Sequence, residues 1–302
     1  MDFQHLKGVY AAALTPLKID FSPDLAAIPK YITFLAQRGC HGALLLGTTG
    51  EGPSFAAHER IAIFRAAITI REQFPDFRLL AGTGTPSLEE TAALTQAAFD
   101  LGFDGVVTLP PYYFRSVSED GLYAWFTEII RRSVPAGGAF LGYHFPNVSG
   151  VPLSTNLLSR LKNTFPKRFA GLKDSSGSPE HAQRLGKLFG DDLLILTGND
   201  RLLSMALDSG ASGCITAMAS LSSPDLRSVW DAHQKNQDKS PSQVRLNAAR
   251  VVMDQYSPFA PTLKALLSHF HQFPYWPVRP PLMPLSDNLI NNAVAEFSVA
   301  KK

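Results

Sequence analysis

Eight short apolar runs recur along this chain, and a segment of helical length follows each of them. The runs are rich in Val, Ile, Leu and Phe without regular polar alternation, which is typical of parallel strands buried on both faces. They are Val9–Leu14, Ala43–Leu46, Arg78–Ala81, Gly105–Leu109, Ala139–Tyr143, Phe169–Leu172, Leu193–Leu196 and Gly213–Thr216. Repeated strand-then-helix units of this kind predict an α/β fold, namely a closed (β/α)8 TIM barrel.

An open doubly wound sheet is the alternative arrangement for such units. A dinucleotide-binding sheet would place a Gly-x-Gly-x-x-Gly turn after its first strand. Residues 14–17 read Leu-Thr-Pro-Leu at that point, so the barrel is the better interpretation.

Helix-start signals separate the apolar runs. Ser22, Ser178 and Ser223 each precede a proline and an acid, which predicts an N-cap at each serine, and Ser87 has capping-box spacing with Glu90. The predicted helices are Asp24–Arg38, Ala56–Gln73, Leu88–Leu101, Glu119–Arg132, Thr155–Asn163, Pro179–Phe189, Arg201–Ser209 and a stretch after Pro224.

The chain after Met218 has a helical pattern without further strands. The predicted segments there are Asp225–Gln237, Ser242–Met253, Pro261–Ser268 and Asn288–Val299. We therefore predict a barrel over residues 1–222 that carries the active site, and a C-terminal helical region over residues 223–302 packed on the barrel. Residues 270–285 are rich in Pro and aromatics, which predicts an extended connection.

Composition limits the partners and the location. The chain has 302 residues, of which 45% are apolar and 18% charged, with a formal charge of +2. Lys and Arg form no basic stripe, which argues against nucleic acid or an anionic membrane as a partner. No stretch approaches the ~20 apolar residues that span a bilayer, and the first residues lack a signal-peptide pattern. We expect a cytoplasmic protein in which Cys40 and Cys214 are buried, reduced residues rather than a disulfide.

The residues just past the strands of a (β/α)8 barrel meet at one rim, where the chemistry takes place. Here they are Thr15, Gly47–Glu51, Gly82–Gly84, Pro110–Tyr113, Tyr143, His144, Lys173–Ser175, Gly198–Asp200 and Thr216. They include one lysine, several hydroxyls and several glycines, without a set of carboxylates and histidines that would hold a metal. This set suits carbonyl chemistry through an imine, with hydroxyls relaying protons and backbone amides holding an anion.

Lys173 ends the apolar run Phe169–Leu172 and precedes a Ser/Gly turn. Burial disfavours the ammonium form of a lysine, and a neutral amine can condense with a carbonyl to form a Schiff base. The alternative is a lysine whose ammonium group reaches the surface from the strand end. Its position on the sixth of eight strands, beside Tyr143 on the fifth, favours the catalytic interpretation.

Six motifs in order make the sequence resemble one known family. They are Gly47-Thr48-Thr49-Gly50-Glu51, Pro111-Tyr112-Tyr113, Tyr143-His144-Phe145-Pro146, Gly171-Leu172-Lys173-Asp174, Gly198-Asn199-Asp200 and Val278-Arg279-Pro280-Pro281-Leu282. The sequence resembles the dihydrodipicolinate synthase / N-acetylneuraminate lyase family of pyruvate-dependent class I aldolases, from about residue 6 to about residue 295. The resemblance implies a covalent imine on Lys173 with no separate cofactor or metal, and pyruvate and an aldehyde as small-molecule partners.

The resemblance also implies roles for the residues around the lysine. Tyr143 would donate and accept protons at the substrate carbonyl and at the oxygen made or broken in aldol chemistry. Thr48 and Thr49 would hold the pyruvate carboxylate, and Thr49 would link Tyr143 into a proton relay. Tyr113 would reach into the site of a neighbouring subunit, which implies a homo-oligomer, either a dimer or the tetramer typical of the family. The alternatives are packing for Tyr143 and an ordinary turn for the two threonines.

The remaining substrate contacts are implied in the same way. Gly198 and Ile215 would line the pyruvyl pocket through main-chain atoms, and Ser175 would contact the substrate with its hydroxyl. Glu51 is expected to be a buried structural acceptor or a helix-start acid rather than a catalyst. His144 and Asp174 each follow a residue that faces the barrel interior, so alternation points them outward.

Departures from the family patterns bear on the substrate. The synthases carry an arginine where Val148 stands, and it holds the carboxylate of their aldehyde substrate. The sialic-acid lyases hold their sugar tail with an Asp-Glu pair and a serine; here Asp200 is kept, whereas Arg201 and Ala217 occupy the other two positions. Arg201 would either contact an acidic tail or lie on a helix surface.

These features predict a class I aldolase or lyase for a 2-keto-3-deoxy sugar acid, cleaved to pyruvate and an aldehyde. The alternatives are N-acetylneuraminate lyase or 4-hydroxy-tetrahydrodipicolinate synthase activity, an imine-forming dehydratase on the same scaffold, and a barrel that binds a 2-oxo acid without catalysis.

Overall fold

The computed structural model describes residues 3–301 as a closed barrel of eight parallel strands in sequential order, β1 to β8, with β8 pairing back to β1. The strands are β1 (Gly8–Ala12), β2 (Gly42–Leu45), β3 (Arg78–Gly82), β4 (Gly105–Thr108), β5 (Ala139–His144), β6 (Phe169–Asp174), β7 (Leu194–Thr197) and β8 (Gly213–Thr216). Each lies on one of the eight apolar runs. The predicted (β/α)8 barrel is confirmed, and the open sheet is excluded.

The helices surround the barrel and continue beyond it. They are α1 (Ala27–Gln37), α2 (Ala57–Ile68), α3 (Leu88–Asp100), α4 (Glu119–Ser133), α5 (Pro146–Ser149), α6 (Thr155–Thr164), α7 (Pro179–Phe189), α8 (Leu203–Asp208), α9 (Ala219–Gln234), α10 (Ser240–Gln255), α11 (Phe259–His271) and α12 (Asp287–Ala300). The short α5 was not predicted from the sequence, because a single helical turn carries no periodic signal.

Two apolar clusters stabilise the barrel, one on each side of the sheet. Tyr10, Leu44, Leu80, Leu141 and Leu194 fill the interior together with other side chains. A larger cluster lies between the outer faces of the strands and the helices. Because both faces of every strand are buried, the strands have no polar alternation in sequence.

The helix caps follow the sequence signals at Ser87 and Ser178 but not at Ser22 and Ser223. The hydroxyls of Ser87 and Ser178 accept hydrogen bonds from the backbone N–H of Glu90 and His181, as the cap pattern predicts. The predicted cap at Ser22 is wrong: α1 begins only at Ala27, and the Ser22 hydroxyl donates to Asp20 instead. The predicted cap at Ser223 is wrong as well, because α9 begins at Ala219 and Ser223 lies inside it.

The C-terminal helices pack on the barrel and on each other. Helix α9 packs on β1 and β8, α10 packs on α9 and α12, and α11 contacts α9 and α12. The proposed boundary at residues 222–223 falls inside α9, where Ser222 has non-helical dihedral angles. That boundary stays a prediction.

Cys40 and Cys214 are buried free thiols, as expected. Within residues 3–301, no helix is both long and apolar enough to cross a membrane.

Candidate active site

A cavity of about 420 Å³ opens at the C-terminal ends of the barrel strands. Its floor contains Lys173 and Tyr143, together with Thr48 and Thr49 of the Gly47–Glu51 segment. Its upper walls come from the loops after β5, β6 and β7 and from the C-terminal helices. The residues of these walls include Phe145, Asn147, Val148, Ser175, Ser176, Gly198, Asn199, Ala217, Arg250, Phe259 and Leu282.

Lys173 lies at the end of β6, directly opposite Tyr143 on β5 in the strand register. Its side chain is only 3% exposed, and its Nζ lies 4.1 Å from the centroid of the Tyr143 ring. The lysine therefore points into the barrel mouth rather than out to the surface. This placement puts an amine and a phenol side by side on the cavity floor.

The environment of Tyr143 favours loss of its proton. Burial by itself raises the pKa of the phenol, but the charge of Lys173 and hydrogen bonds with Thr48 and Ser175 outweigh burial, so the pKa lies below its ordinary value. The Thr48 hydroxyl lies 3.4 Å from the Tyr143 hydroxyl. Thr49 lines the same cavity. The threonine in contact with Tyr143 is thus Thr48, and the relay through Thr49 stays a prediction.

The Gly47–Glu51 segment is held tightly from outside the barrel. Glu51 is buried with a left-handed φ of 57°, and its carboxylate accepts hydrogen bonds from Lys264 Nζ at 2.5 Å and from the Arg279 N–H at 2.9 Å. Lys264 Nζ also donates to the Pro277 carbonyl. Burial lowers the pKa of Lys264 against the opposing charge of Glu51. These contacts make Glu51 the buried acceptor expected from the sequence.

Lys264 was not identified from the sequence. It stands within the apolar segment Thr262–Leu267, and a lysine at a core position of a helix is the signal that could have shown it. Its partner is 213 residues away in the chain, so only the tertiary structure reveals the pairing.

The other predicted pyruvyl-site residues line the cavity. Ser175, Gly198 and Ile215 all belong to its wall. A Cβ atom at position 198 would lie 2.0 Å from Ser175 Oγ, so glycine there lets the serine hydroxyl stay close to the β7 end.

Asp200 is brought to the site region but does not line the cavity. It is fully buried, and its carboxylate accepts hydrogen bonds from Thr216 Oγ1 and from Arg250 Nη1, the latter at 2.8 Å. Burial raises the pKa of Asp200 against the charge of Arg250. Arg250, which sequence reasoning missed, stands between Asp200 and the cavity.

Tyr113 lies away from the cavity of its own chain. It is 76% exposed on the loop between β4 and α4, with its ring against Phe114 at a centroid distance of 5.3 Å. Arg201 is also outside the cavity wall, and its Nη1 lies 3.9 Å from Oδ2 of Asp254 on α10. Val148, in contrast, is part of the wall and is half exposed.

A second polar cluster lies on the outer side of the strands. Among residues 3–301, only His144, Asp174 and His181 bring three potential metal-ligand atoms within 4.8 Å of one another. His144 Nδ1 accepts a hydrogen bond from the Leu153 N–H at 3.0 Å. Its proton is therefore on Nε2, which leaves that atom no lone pair for a metal. The outward orientation of His144 and Asp174 agrees with the strand alternation.

The chain is similar to known proteins in both sequence and fold. Residues 5–298 match the model of the dihydrodipicolinate synthetase family. A protein of Chloroflexus aurantiacus described as an uncharacterized DapA-like lyase is 39% identical over 93% of this chain and 92% of its own. Among solved structures, dihydrodipicolinate synthase from Agrobacterium tumefaciens is 32% identical, with a TM-score of 0.88 over 98% of this chain and 99% of its own. YagE, a prophage protein from E. coli K12 solved with pyruvate, is 25% identical with a TM-score of 0.91 over the same shares.

Proposed function

The chain belongs to the dihydrodipicolinate synthetase family, and from that membership we propose that it is a pyruvate-dependent class I carbon–carbon lyase. The observation that carries the proposal is the buried Lys173 beside Tyr143, on the floor of a cavity that also contains Thr48 and Thr49. An amine, an acid–base group and anion-holding donors are the parts that imine chemistry requires.

The proposed reaction begins when neutral Lys173 Nζ attacks the carbonyl of a 2-oxo acid and water leaves. Hydroxyls and backbone N–H groups of Thr48 and Thr49 hold the substrate carboxylate without adding a full positive charge. Tyr143 then takes the proton of the C4 hydroxyl, and the C3–C4 electron pair moves into the imine as that bond breaks. An aldehyde leaves, Tyr143 returns the proton to C3 of the enamine, and water then hydrolyses the imine to release pyruvate and free Lys173.

The substrate we propose is a 2-keto-3-deoxy sugar acid. Val148 stands in the wall where the synthases carry an arginine, so this position offers no donor for a carboxylate-bearing aldehyde. Ser175, Ser176 and Asn199 supply neutral polar groups above Lys173, which suits a hydroxylated chain. Asp200, which would hold a sialic-acid tail, already bonds to Arg250 and Thr216.

Borohydride reduction in the presence of pyruvate tests the imine. We expect one pyruvyl adduct on Lys173 by peptide mass spectrometry, lost in Lys173→Ala and retained in Lys187→Ala, a control on the α7 surface. Absence of an adduct in the unaltered protein contradicts the lyase and leaves a barrel that binds a 2-oxo acid without catalysis.

The substrate is tested by pyruvate release from a panel of acids that contains 2-keto-3-deoxygluconate and N-acetylneuraminate. We expect a preference for the former. A preference for N-acetylneuraminate would overturn the substrate assignment. Loss of water without release of pyruvate would instead identify an imine-forming dehydratase.

A further inference from the structure

We propose that Arg250 is a specificity-determining residue that donates a hydrogen bond to an uncharged hydroxyl at the far end of the substrate chain. This inference rests on the proposed function and names a contact within the same cavity. The sequence analysis considered Asp200 and Arg201 as contacts for the far end of the substrate. The structure favours Arg250 of α10 for that role instead.

Contacts on three sides fix the Arg250 side chain in the cavity wall. Nη1 donates to Asp200 at 2.8 Å, and Nε donates to Asp254 at 2.7 Å. The guanidinium carbon lies 4.9 Å from the centroid of the Phe259 ring. A guanidinium held in this way is oriented before any ligand arrives, so little side-chain entropy is lost on binding.

The remaining nitrogen of the guanidinium is available to a ligand. Over residues 3–301, Arg250 donates through Nε and Nη1, and Nη2 donates no hydrogen bond. The side chain is 16% exposed, and the residue belongs to the cavity wall. Its free donor therefore lies in the part of the cavity wall that α10 contributes.

The charges around Arg250 decide the kind of acceptor. The two carboxylates of Asp200 and Asp254 face two guanidinium groups, those of Arg250 and Arg201, so the cluster has no excess positive charge. A ligand carboxylate would lose its hydration without gaining a free counter-charge, whereas a hydroxyl costs far less to desolvate. The balanced cluster therefore favours a hydroxyl.

The other walls agree with an uncharged chain end. Among the described residues of the cavity wall, Lys173 and Arg250 are the cations, and Lys173 is used by the imine. Val148, Phe259 and Leu282 contribute apolar surface near the opening. The C–H faces of a polyol chain can pack on such surface while its hydroxyls meet Arg250 and Asn199.

The test compares a long and a short substrate in two variants. Arg250→Lys keeps a charge for Asp200, and Arg250→Gln combined with Asp200→Asn leaves no buried charge unpaired. We expect kcat/KM for 2-keto-3-deoxygluconate to fall about 10- to 100-fold in both variants, mainly through KM, as for loss of a hydrogen bond to substrate. Cleavage of 4-hydroxy-2-oxopentanoate, which has no distal hydroxyls, and pyruvate trapping on Lys173 should not change.

Arg201→Gln is the matched control, and it should keep the preference for the long substrate. An equal loss on both substrates would make Arg250 a structural residue and overturn the inference. So would a greater loss on 4-hydroxy-2-oxoglutarate, which ends in a carboxylate. A missing adduct in the unaltered protein overturns the proposed function and this inference together, whereas a normal adduct with an unchanged substrate ratio overturns this inference alone.

Discussion

At the scale of single residues, Tyr143 depends on the charge beside it. A buried phenol without a charged neighbour holds its proton more tightly than one in water. Lys173, Thr48 and Ser175 reverse that effect and bring the pKa of Tyr143 below its ordinary value. In the proposed mechanism, the amine that forms the imine thus also lowers the pKa of the proposed acid–base residue, and one substitution should disturb both.

Lys173→Met should therefore raise the pKa of Tyr143, because burial then acts without the opposing charge. The ionisation is measured by ultraviolet difference titration of the unaltered protein against Tyr143→Phe, which isolates this phenol from the other tyrosines. The same titration of Lys173→Met against the double variant gives the pKa without the lysine charge. An equal or lower pKa in Lys173→Met would contradict the assignment of the lysine charge as the cause.

At the scale of elements, the Gly47–Glu51 segment is fixed by a helix far away in sequence. Glu51 and Lys264 have fully buried side chains, and Lys264 Nζ lies 2.5 Å from Glu51 Oε1. Removing one partner of such a pair leaves a buried charge without compensation, which typically costs about 3–5 kcal/mol. Removing both charges costs much less.

Lys264→Met should accordingly lower the free energy of unfolding by about 3–5 kcal/mol, measured by urea unfolding. The double variant Glu51→Gln, Lys264→Met should recover part of that loss. Lys162→Met is the control, since Lys162 pairs with Asp192 at the surface, and loss of an exposed pair changes stability by ~1 kcal/mol or less. Equal losses of unfolding free energy in Lys162→Met and Lys264→Met would show that the buried pair stabilises the protein no more than an exposed pair does.

The strands and helices also show how much of the structure could be predicted from the sequence. The strands were predictable because burial on both faces leaves continuous apolar runs, and the strand ends were predictable because a barrel gathers them at one rim. Lys173, Tyr143 and Thr48 followed from that rule. Arg250 and Lys264 did not, because they lie within helices and reach the site only after α10 and α11 fold over the rim. The cap predicted at Ser22 is wrong for a local reason instead, because the Ser22 hydroxyl donates a hydrogen bond to the nearby Asp20 carboxylate.

At the scale of the whole molecule, the cavity draws on both predicted regions of the chain. Lys173 and Tyr143 come from the barrel, whereas Arg250, Phe259 and Leu282 come from the part after residue 222. The C-terminal region therefore contributes to the cavity wall as well as to packing. Loss of structure in this region should affect the site directly.

His271, at the end of α11, makes the stability of this region sensitive to pH. Burial and the charges of Arg38 and Lys301 lower its pKa from 6.5 to about 4. The unfolded chain therefore binds a proton between these values when the folded chain does not, so stability falls as the pH falls through this window. Because the His271 side chain is partly exposed to solvent, we expect it to contribute about 1 kcal/mol to the free energy of unfolding, which is less than its full pKa shift would give.

Urea unfolding at pH 7 and pH 5 measures this contribution. The free energy of unfolding should fall more between these pH values in the unaltered protein than in His271→Asn. His58→Asn, a substitution of a histidine outside this region, should leave the fall unchanged. The same fall in the unaltered protein and in His271→Asn would contradict the role of His271.

Assembly is the largest scale at which we make a prediction about the site. Tyr113, Phe114 and Val117 are exposed on the loop between β4 and α4, next to the mouth of the barrel. Exposed aromatic side chains in one place are typical of a surface that another protein covers. We predict that a second copy of the chain covers this loop and that Tyr113 completes the neighbouring site.

Sedimentation equilibrium and turnover together test this prediction. The unaltered protein should be a dimer or a tetramer, and Tyr113→Ala combined with Phe114→Ala should shift it toward smaller species with a matching loss of turnover. Tyr113→Phe keeps the aromatic contact, so it should retain the assembly and lose turnover only through the missing hydroxyl. Ile19→Ala, at an exposed apolar residue on the β1–α1 loop, should change neither quantity. A fully active monomer would contradict the shared site, because Tyr113 does not line the cavity of its own chain.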